Sequence, residues 1–246
     1  MIQVLMDIDE TLISVPPCIN ALSSGKMFQK IFGVNAHEDM INNIGQTEMA
    51  VIIEVLALVG ISIKTVPIEA YLYWAKILEE DLRDNPVRVL PGIHELLDTL
   101  SQMPEVRLRL LTGNAPLKAR TKLASGKIEK YFLKKDGSLD GVFGDTVLKR
   151  EMLFDIVKKE SAQDDTFVIV DDSLLGAQIG KKYSIPMILV ATGRASQEKL
   201  KQYTDTVFPD LGENRWKEAL SLIKNSFISD VCDKISLMSD KVIHHE

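Results

Sequence analysis

Two aspartates and a threonine at alternate positions, Asp7-x-Asp9-x-Thr11, follow a nearly continuous apolar run that begins at Ile2. A second apolar run over 106–111 delivers Thr112-Gly113-Asn114, and a third over 166–170 delivers Asp171-Asp172-Ser173. Short apolar runs that stop abruptly in polar loops read as buried parallel strands. Open α/β sheets bind ligands in the crevice outside the carboxyl ends of such strands. Four carboxylates meeting there repel one another. A hard cation with oxygen ligands is the simplest compensation, helped by a basic residue, for which Lys149 and Arg150 are available. Each triplet alone could be a turn or a helix cap, but capping needs one short polar side chain per helix, not carboxylate pairs at two strand ends.

The elements that must hold these residues alternate. Helical patterns over 93–103, 116–125, 149–159, 174–182 and 213–224 are interleaved with the strands above and with shorter ones over 142–144, 187–190 and 206–208. Units of this length predict an α/β fold, a doubly wound parallel sheet with helices on both faces. Between the first strand and the rest lies a long stretch with helical patterns only. One helix is expected over 46–59, ending at Gly60. A second follows Pro67 over 68–83, with Tyr71, Leu72, Trp74, Ala75 and Leu78 inside and Glu79, Glu80 and Asp81 facing solvent. So long a helical run after one strand predicts an inserted bundle rather than an ordinary crossover. The expected division is a core of 1–15 and 86–225, a helical cap of 16–85 and an extension of 226–246 with near-helical apolar spacing at Ile228, Val231, Ile235 and Leu237.

Composition narrows the class of partner. The chain has 246 residues and a net charge of −6 with no basic block, so nothing favours a nucleic-acid backbone or an anionic membrane surface. No window approaches a membrane span, and the first residues lack the basic and apolar regions of an export signal, so a cytoplasmic protein is expected, as a monomer or homodimer. Cys18 and Cys232 read as free thiols, His37 and His94 as structural or surface residues, and Trp74, Tyr71 and Tyr73 as packing within the cap.

The strand into Asp7-x-Asp9-x-Thr11, the strand into Thr112, a basic residue at Lys149 and the strand into Asp171-Asp172 resemble the four ordered motifs of the haloacid dehalogenase superfamily. The helical insertion is similar to the small C1-type cap of its phosphoglycolate-phosphatase-like branch. Gly45-Gln46-Thr47, Leu90-Pro91-Gly92 and Thr112-Gly113-Asn114 with Ala119-Arg120-x-Lys122-Leu123 add to the likeness, which spans roughly 2–225. The resemblance implies a Mg²⁺-dependent phosphatase acting on a small phosphorylated metabolite. Asp7 would be the nucleophile and Asp9 the general acid/base, with a pKa raised toward neutrality by nearby carboxylates. Thr112, Gly113 and Asn114 would cradle the phosphoryl oxygens, and Lys149 would neutralise the nucleophile and phosphate. Mg²⁺ would be held by Asp7, the Asp9 carbonyl and Asp172, with Asp171 supporting it.

Two points depart from the family pattern. The position where many relatives carry a further acid falls in Leu174-Leu175-Gly176, and Lys149 and Arg150 compete for one role, with the apolar Met152-Leu153 favouring Lys149. Phosphoglycolate leads the substrates by resemblance. A sugar phosphate, a nucleoside monophosphate, pyrophosphate, a phosphomutase reaction or a non-catalytic binding module remain as alternatives, whereas a dehalogenase would leave Asp9 without a task.

Overall fold

A computed structural model describes residues 1–16 and 18–226. Its eight strands are β1 (Ile2–Met6), β2 (Ile13–Ser14), β3 (Arg88–Val89), β4 (Val106–Leu111), β5 (Gly141–Val142), β6 (Thr166–Asp171), β7 (Met187–Val190) and β8 (Val207–Phe208). Six of them form a sheet in the order β5-β4-β1-β6-β7-β8, with every pairing parallel. The helices are α1 (Ile19–Met27), α2 (Glu48–Leu58), α3 (Ile68–Asp84), α4 (Ile93–Leu100), α5 (Pro116–Ser125), α6 (Glu151–Glu160), α7 (Leu174–Tyr183) and α8 (Gln197–Leu200). A further helical stretch occupies 215–226.

The period-two alternation of a strand decides which layer each residue joins. Val4 and Met6 face a core shared with Leu96 and Leu97 of α4, Leu123 of α5 and Ile223. Leu5 faces the opposite layer, where Leu153 and Phe154 of α6 and Ala177 of α7 pack. Both faces of β1 are therefore buried, which explains its nearly continuous apolar sequence; its one polar residue, Gln3, is also buried and donates to Ser161 and Asp165. Met6 is in register with Leu110 of β4 and with Val170 of β6. The carboxyl ends of the three strands that carry the polar loops thus lie side by side on one edge.

Residues 19–84 are organised by helices around a separate apolar cluster that includes Met27, Phe28, Val51, Ile52, Val55, Tyr71 and Trp74. The two chain crossings that flank this segment are tied together by the antiparallel pair β2 and β3, with Ile13 opposite Val89. That pair has two residues per strand, too short to leave a periodic signal. The helix expected over 46–59 begins later, at Glu48. Thr47 is its N-cap, its hydroxyl accepting from the Ala50 N–H at 3.3 Å, and Gly45 and Gln46 are left as loop. The extension beyond 226 lies outside the described residues. Among those residues, no helix is long and apolar enough to cross a membrane.

Candidate active site

Asp7 leaves the end of β1 with its backbone N–H still bonded to the Val170 carbonyl, which holds the carboxylate against β6. The next residues coil tightly, the N–H groups of Leu12 and Ile13 both returning to the Ile8 carbonyl. This turn brings the Thr11 hydroxyl to Asp172 Oδ1 at 3.0 Å. Asp171 is fixed from the other side, one oxygen accepting from the N–H and hydroxyl of Ser173, both at 2.7 Å. Ser173 in turn caps α7, accepting from the Gly176 N–H. Asp7, Asp171 and Asp172 are all buried, and each offers a carboxylate oxygen within 4.8 Å of the others.

The cation among these carboxylates is Arg150. Its Nη2 lies 3.0 Å from Asp7 Oδ2 and 2.8 Å from Asp171 Oδ2, and its Nη1 donates to the Gly45 carbonyl at 3.2 Å. Lys149, the basic residue expected here, is instead exposed. The register on which Lys149 rested assumed that Met152 turns inward. Met152 is 43% exposed, and the buried stripe of α6 is Leu153, Phe154 and Val157, which rotates the helix start so that Arg150 points in.

Burial pushes the Asp7 carboxyl up to about 6, with Arg150 opposing and Asp171 and Asp9 adding to the rise. Asp172 is likewise raised, by burial and by its neighbours Asp171 and Asp7. Asp7 Oδ1 is buried with no hydrogen-bond donor. An orphaned carboxylate oxygen beside two further buried aspartates is an unfavourable arrangement for the protein alone, and it fits a hard divalent cation.

Asp9 behaves differently from expectation. Its carboxylate is gripped by Lys122 Nζ, 2.7 Å from both oxygens, and by the Asn114 amide at 2.8 Å. Burial alone would raise its pKa, but the charge and hydrogen bond of Lys122, together with Asn114, outweigh it and hold the carboxyl below its ordinary range. The expected rise toward neutrality is thus reversed in this arrangement. Lys122 is 1% exposed and also donates to Asn114 Oδ1 at 2.8 Å. Thr112 is fully buried, its hydroxyl accepting from the Asn114 amide at 2.9 Å, so it braces the cluster rather than lining the cleft that Gly113 and Asn114 border.

The cavity above these groups measures about 400 Å³ and extends to the helical segment. That segment sits directly on the strand ends: the N–H groups of Glu48 and Met49 donate to the Gly113 and Gly144 carbonyls at 2.7 and 2.9 Å. A Cβ on Gly113 would lie 2.0 Å from the Gln46 carbonyl oxygen, so only glycine allows the approach. Glu48 reaches the start of α5, where it accepts from the Ala115 N–H at 2.6 Å and forms an ion pair with Lys118 at 2.5 Å. Lys118, itself buried, stands 3.4 Å over the Trp74 ring and 3.7 Å from Glu38. Trp74 is therefore core-like as expected, but its partner is a cation of the facing α5. Lys118 and Lys122 share the inward stripe of α5 with Ala119 and Leu123. Two lysines at that spacing inside an apolar stripe were the available sequence signal for this pair.

No curated protein matches this chain in sequence. Among solved structures, a candidate β-phosphoglucomutase from Bacteroides vulgatus has a TM-score of 0.60 at 19% identity over 92% of this chain and 90% of its own. A HAD hydrolase, family IA, variant 3, from Entamoeba histolytica scores 0.62 at 18% identity over 91% and 100%. A mutant of CbbY from Rhodobacter sphaeroides, in complex with xylulose-(1,5)bisphosphate, scores 0.61 at 14% over 86% and 95%. These likenesses establish a shared fold. The sequence model of the haloacid dehalogenase-like hydrolases matches residues 4–190, a span that holds every polar strand end described above, and the chain belongs to that family.

Proposed function

We propose that this protein hydrolyses a small phosphomonoester through an aspartyl-phosphate on Asp7, with Mg²⁺ bound beside it. The observation that carries this reading is the buried Asp7 carboxylate, with one oxygen on Arg150 and the other without a partner, at the floor of a cavity of about 400 Å³. Asp7, Asp172 and the Asp9 carbonyl would hold the metal, with Thr11 fixing the orientation of Asp172 and Asp171 that of Arg150. Bound there, Mg²⁺ supplies positive charge against the phosphoryl oxygens and the aspartates.

The protein's own groups account for the remaining steps. An Asp7 oxygen forms the bond to phosphorus as the ester P–O bond breaks, and Arg150 keeps the carboxylate aimed and partly neutralised. Asp9 gives the departing oxygen its proton, then takes one from the water that cleaves the acyl-phosphate. In the ligand-free arrangement, Lys122 and Asn114 hold Asp9 ionised. An entering dianionic ester offers Lys122 a competing partner, which frees Asp9 to bind the proton that the first step uses. The docked helical segment limits bulk water at the acyl-phosphate.

The test is turnover of p-nitrophenyl phosphate with and without Mg²⁺, together with trapping of a phosphorylated enzyme. Asp7→Asn should abolish both, and full activity in that variant would overturn the nucleophile assignment. The likeness to a candidate β-phosphoglucomutase raises return of the phosphoryl group to a second hydroxyl as the other outcome, which product analysis distinguishes from release of inorganic phosphate.

A further inference from the structure

The alcohol that departs must fit the part of the cavity beyond Asp9, and the charges already placed there constrain it. The cavity is bordered by seven carboxylates and four cations. Three of those cations are already neutralised by the protein: Arg150 by Asp7 and Asp171, Lys122 by Asp9, and Lys118 by Glu48 and Glu38. The fourth, Arg194, is exposed. A divalent metal and a phosphoryl dianion cancel one another in charge, so the protein's negative excess persists once both are bound. A second phosphate or a carboxylate on the leaving group would enter beside Glu38, Asp39 and Glu48, with Lys118 committed to Glu48 and Glu38, and Lys122 and Arg150 to Asp9, Asp7 or the transferring phosphoryl group.

The same wall is rich in acceptors. Asn20 Oδ1 on α1 is buried without a donor, and Glu38 on the short turn Glu38–Met40 keeps its carboxylate at the longer of the two Lys118 contacts. Both residues border the cavity. A buried acceptor is satisfied by a ligand hydroxyl, whereas a ligand anion leaves it unpaired.

Building on the phosphatase reading, we infer that the ester's leaving group is an uncharged polyol, a sugar or sugar alcohol without a second anion, with hydroxyls donating to Asn20 Oδ1 and Glu38. Phosphoglycolate, whose departing alcohol carries a carboxylate, is disfavoured on this ground, and so is a bisphosphate of the kind that CbbY holds.

The test uses the full chain with Mg²⁺ and a matched panel: glucose 6-phosphate, sorbitol 6-phosphate and glycerol 3-phosphate against phosphoglycolate, fructose 1,6-bisphosphate and phosphoethanolamine, with p-nitrophenyl phosphate as reference. At least one polyol monophosphate should exceed both anionic esters tenfold or more in kcat/KM. Equal or faster turnover of phosphoglycolate or the bisphosphate would overturn the inference while leaving the phosphatase intact, and a clear preference for phosphoethanolamine would replace the polyol with a cation. Asn20→Leu should lower kcat/KM for the best polyol, relative to p-nitrophenyl phosphate, at least fivefold through KM. Glu38→Gln should narrow the gap between polyol and anionic esters, and no movement in either ratio would remove these residues from recognition. Absence of turnover on every ester, p-nitrophenyl phosphate included, would overturn the phosphatase reading itself.

Discussion

Replacing Asp7 with asparagine should stabilise the metal-free protein even as it destroys activity. Burial and the neighbouring carboxylates lift the Asp7 carboxyl from 3.8 to about 6 despite Arg150. The folded state therefore holds the Asp7 proton more tightly than the unfolded chain does. Below pH 3.8 the group is protonated in both states and has no effect. As pH rises toward 6 the folded protein loses stability, and above 6 the loss is complete. At about 1.36 kcal/mol per unit, the ionised aspartate costs about 3 kcal/mol at pH 7.5. Asparagine keeps the shape, removes the charge and leaves Arg150 with Asp171 and the Gly45 carbonyl. For a chain of this length that corresponds to a rise in Tm of roughly 6–12 °C in EDTA. The gain should shrink toward zero as the pH is lowered to about 4, and Mg²⁺ should narrow the gap by stabilising the wild type more than the variant. Thermal unfolding of both proteins from about pH 4 to 8, with EDTA or Mg²⁺, provides the measurement. An Asp7→Asn variant no more stable than wild type at pH 7.5 in EDTA would show that the carboxylate is not strained as described.

Four further outcomes are expected. Arg150→Ala should reduce kcat at least a hundredfold, since it strips the charge from two buried aspartates, whereas Lys149→Ala should stay within about twofold; the reverse pattern in steady-state assays would restore Lys149. Glu48→Ala leaves Lys118 buried without its nearest carboxylate and should cost about 3–5 kcal/mol in denaturant unfolding, with an unchanged midpoint refuting the importance of that pair. Lys122→Met removes the charge that lowers the Asp9 pKa, so the Asp9 titration followed by carboxyl NMR should move up, and kcat should fall. Gly113→Ala places a methyl group 2.0 Å from the Gln46 carbonyl oxygen and should destabilise by about 1–3 kcal/mol while lowering activity, a combination that calorimetry and turnover can check together.

The sheet was readable in advance because each strand that feeds the site is buried at the end nearest it, so β1, β4 and β6 finish in apolar runs that stop at polar loops. Helix rotation was harder. Met152 is apolar yet exposed, and that single residue shifted the expected inward position by one, from Arg150 to Lys149. Lys122 and Lys118 were missed as partners because their carboxylates, on Asp9 and Glu48, belong to distant parts of the chain. Pattern along one helix reveals a buried stripe, but only the packed fold shows which opposite charge meets it. The same holds for Asp9, whose ionisation is governed by a lysine that no local spacing links to it.

Beside the side-chain pairing of Glu48 with Lys118, the joint between the helical segment and the strand ends uses main-chain groups: Glu48 N–H to the Gly113 carbonyl, Met49 N–H to that of Gly144, and the Arg150 side chain to the Gly45 carbonyl. Peptide groups are the same in every residue, so the main-chain part of this joint does not depend on which side chains surround it, provided that positions 113 and 144 stay glycine and Glu48 keeps its pair with Lys118. Substitutions at Asn20, Glu38 or Asp39 can therefore redraw the chemical preference of the cavity without moving it relative to Asp7. Such a separation lets a lineage change what it consumes while the cleaving groups stay put, and it makes the residues facing the departing alcohol the place where close relatives of this protein should differ most.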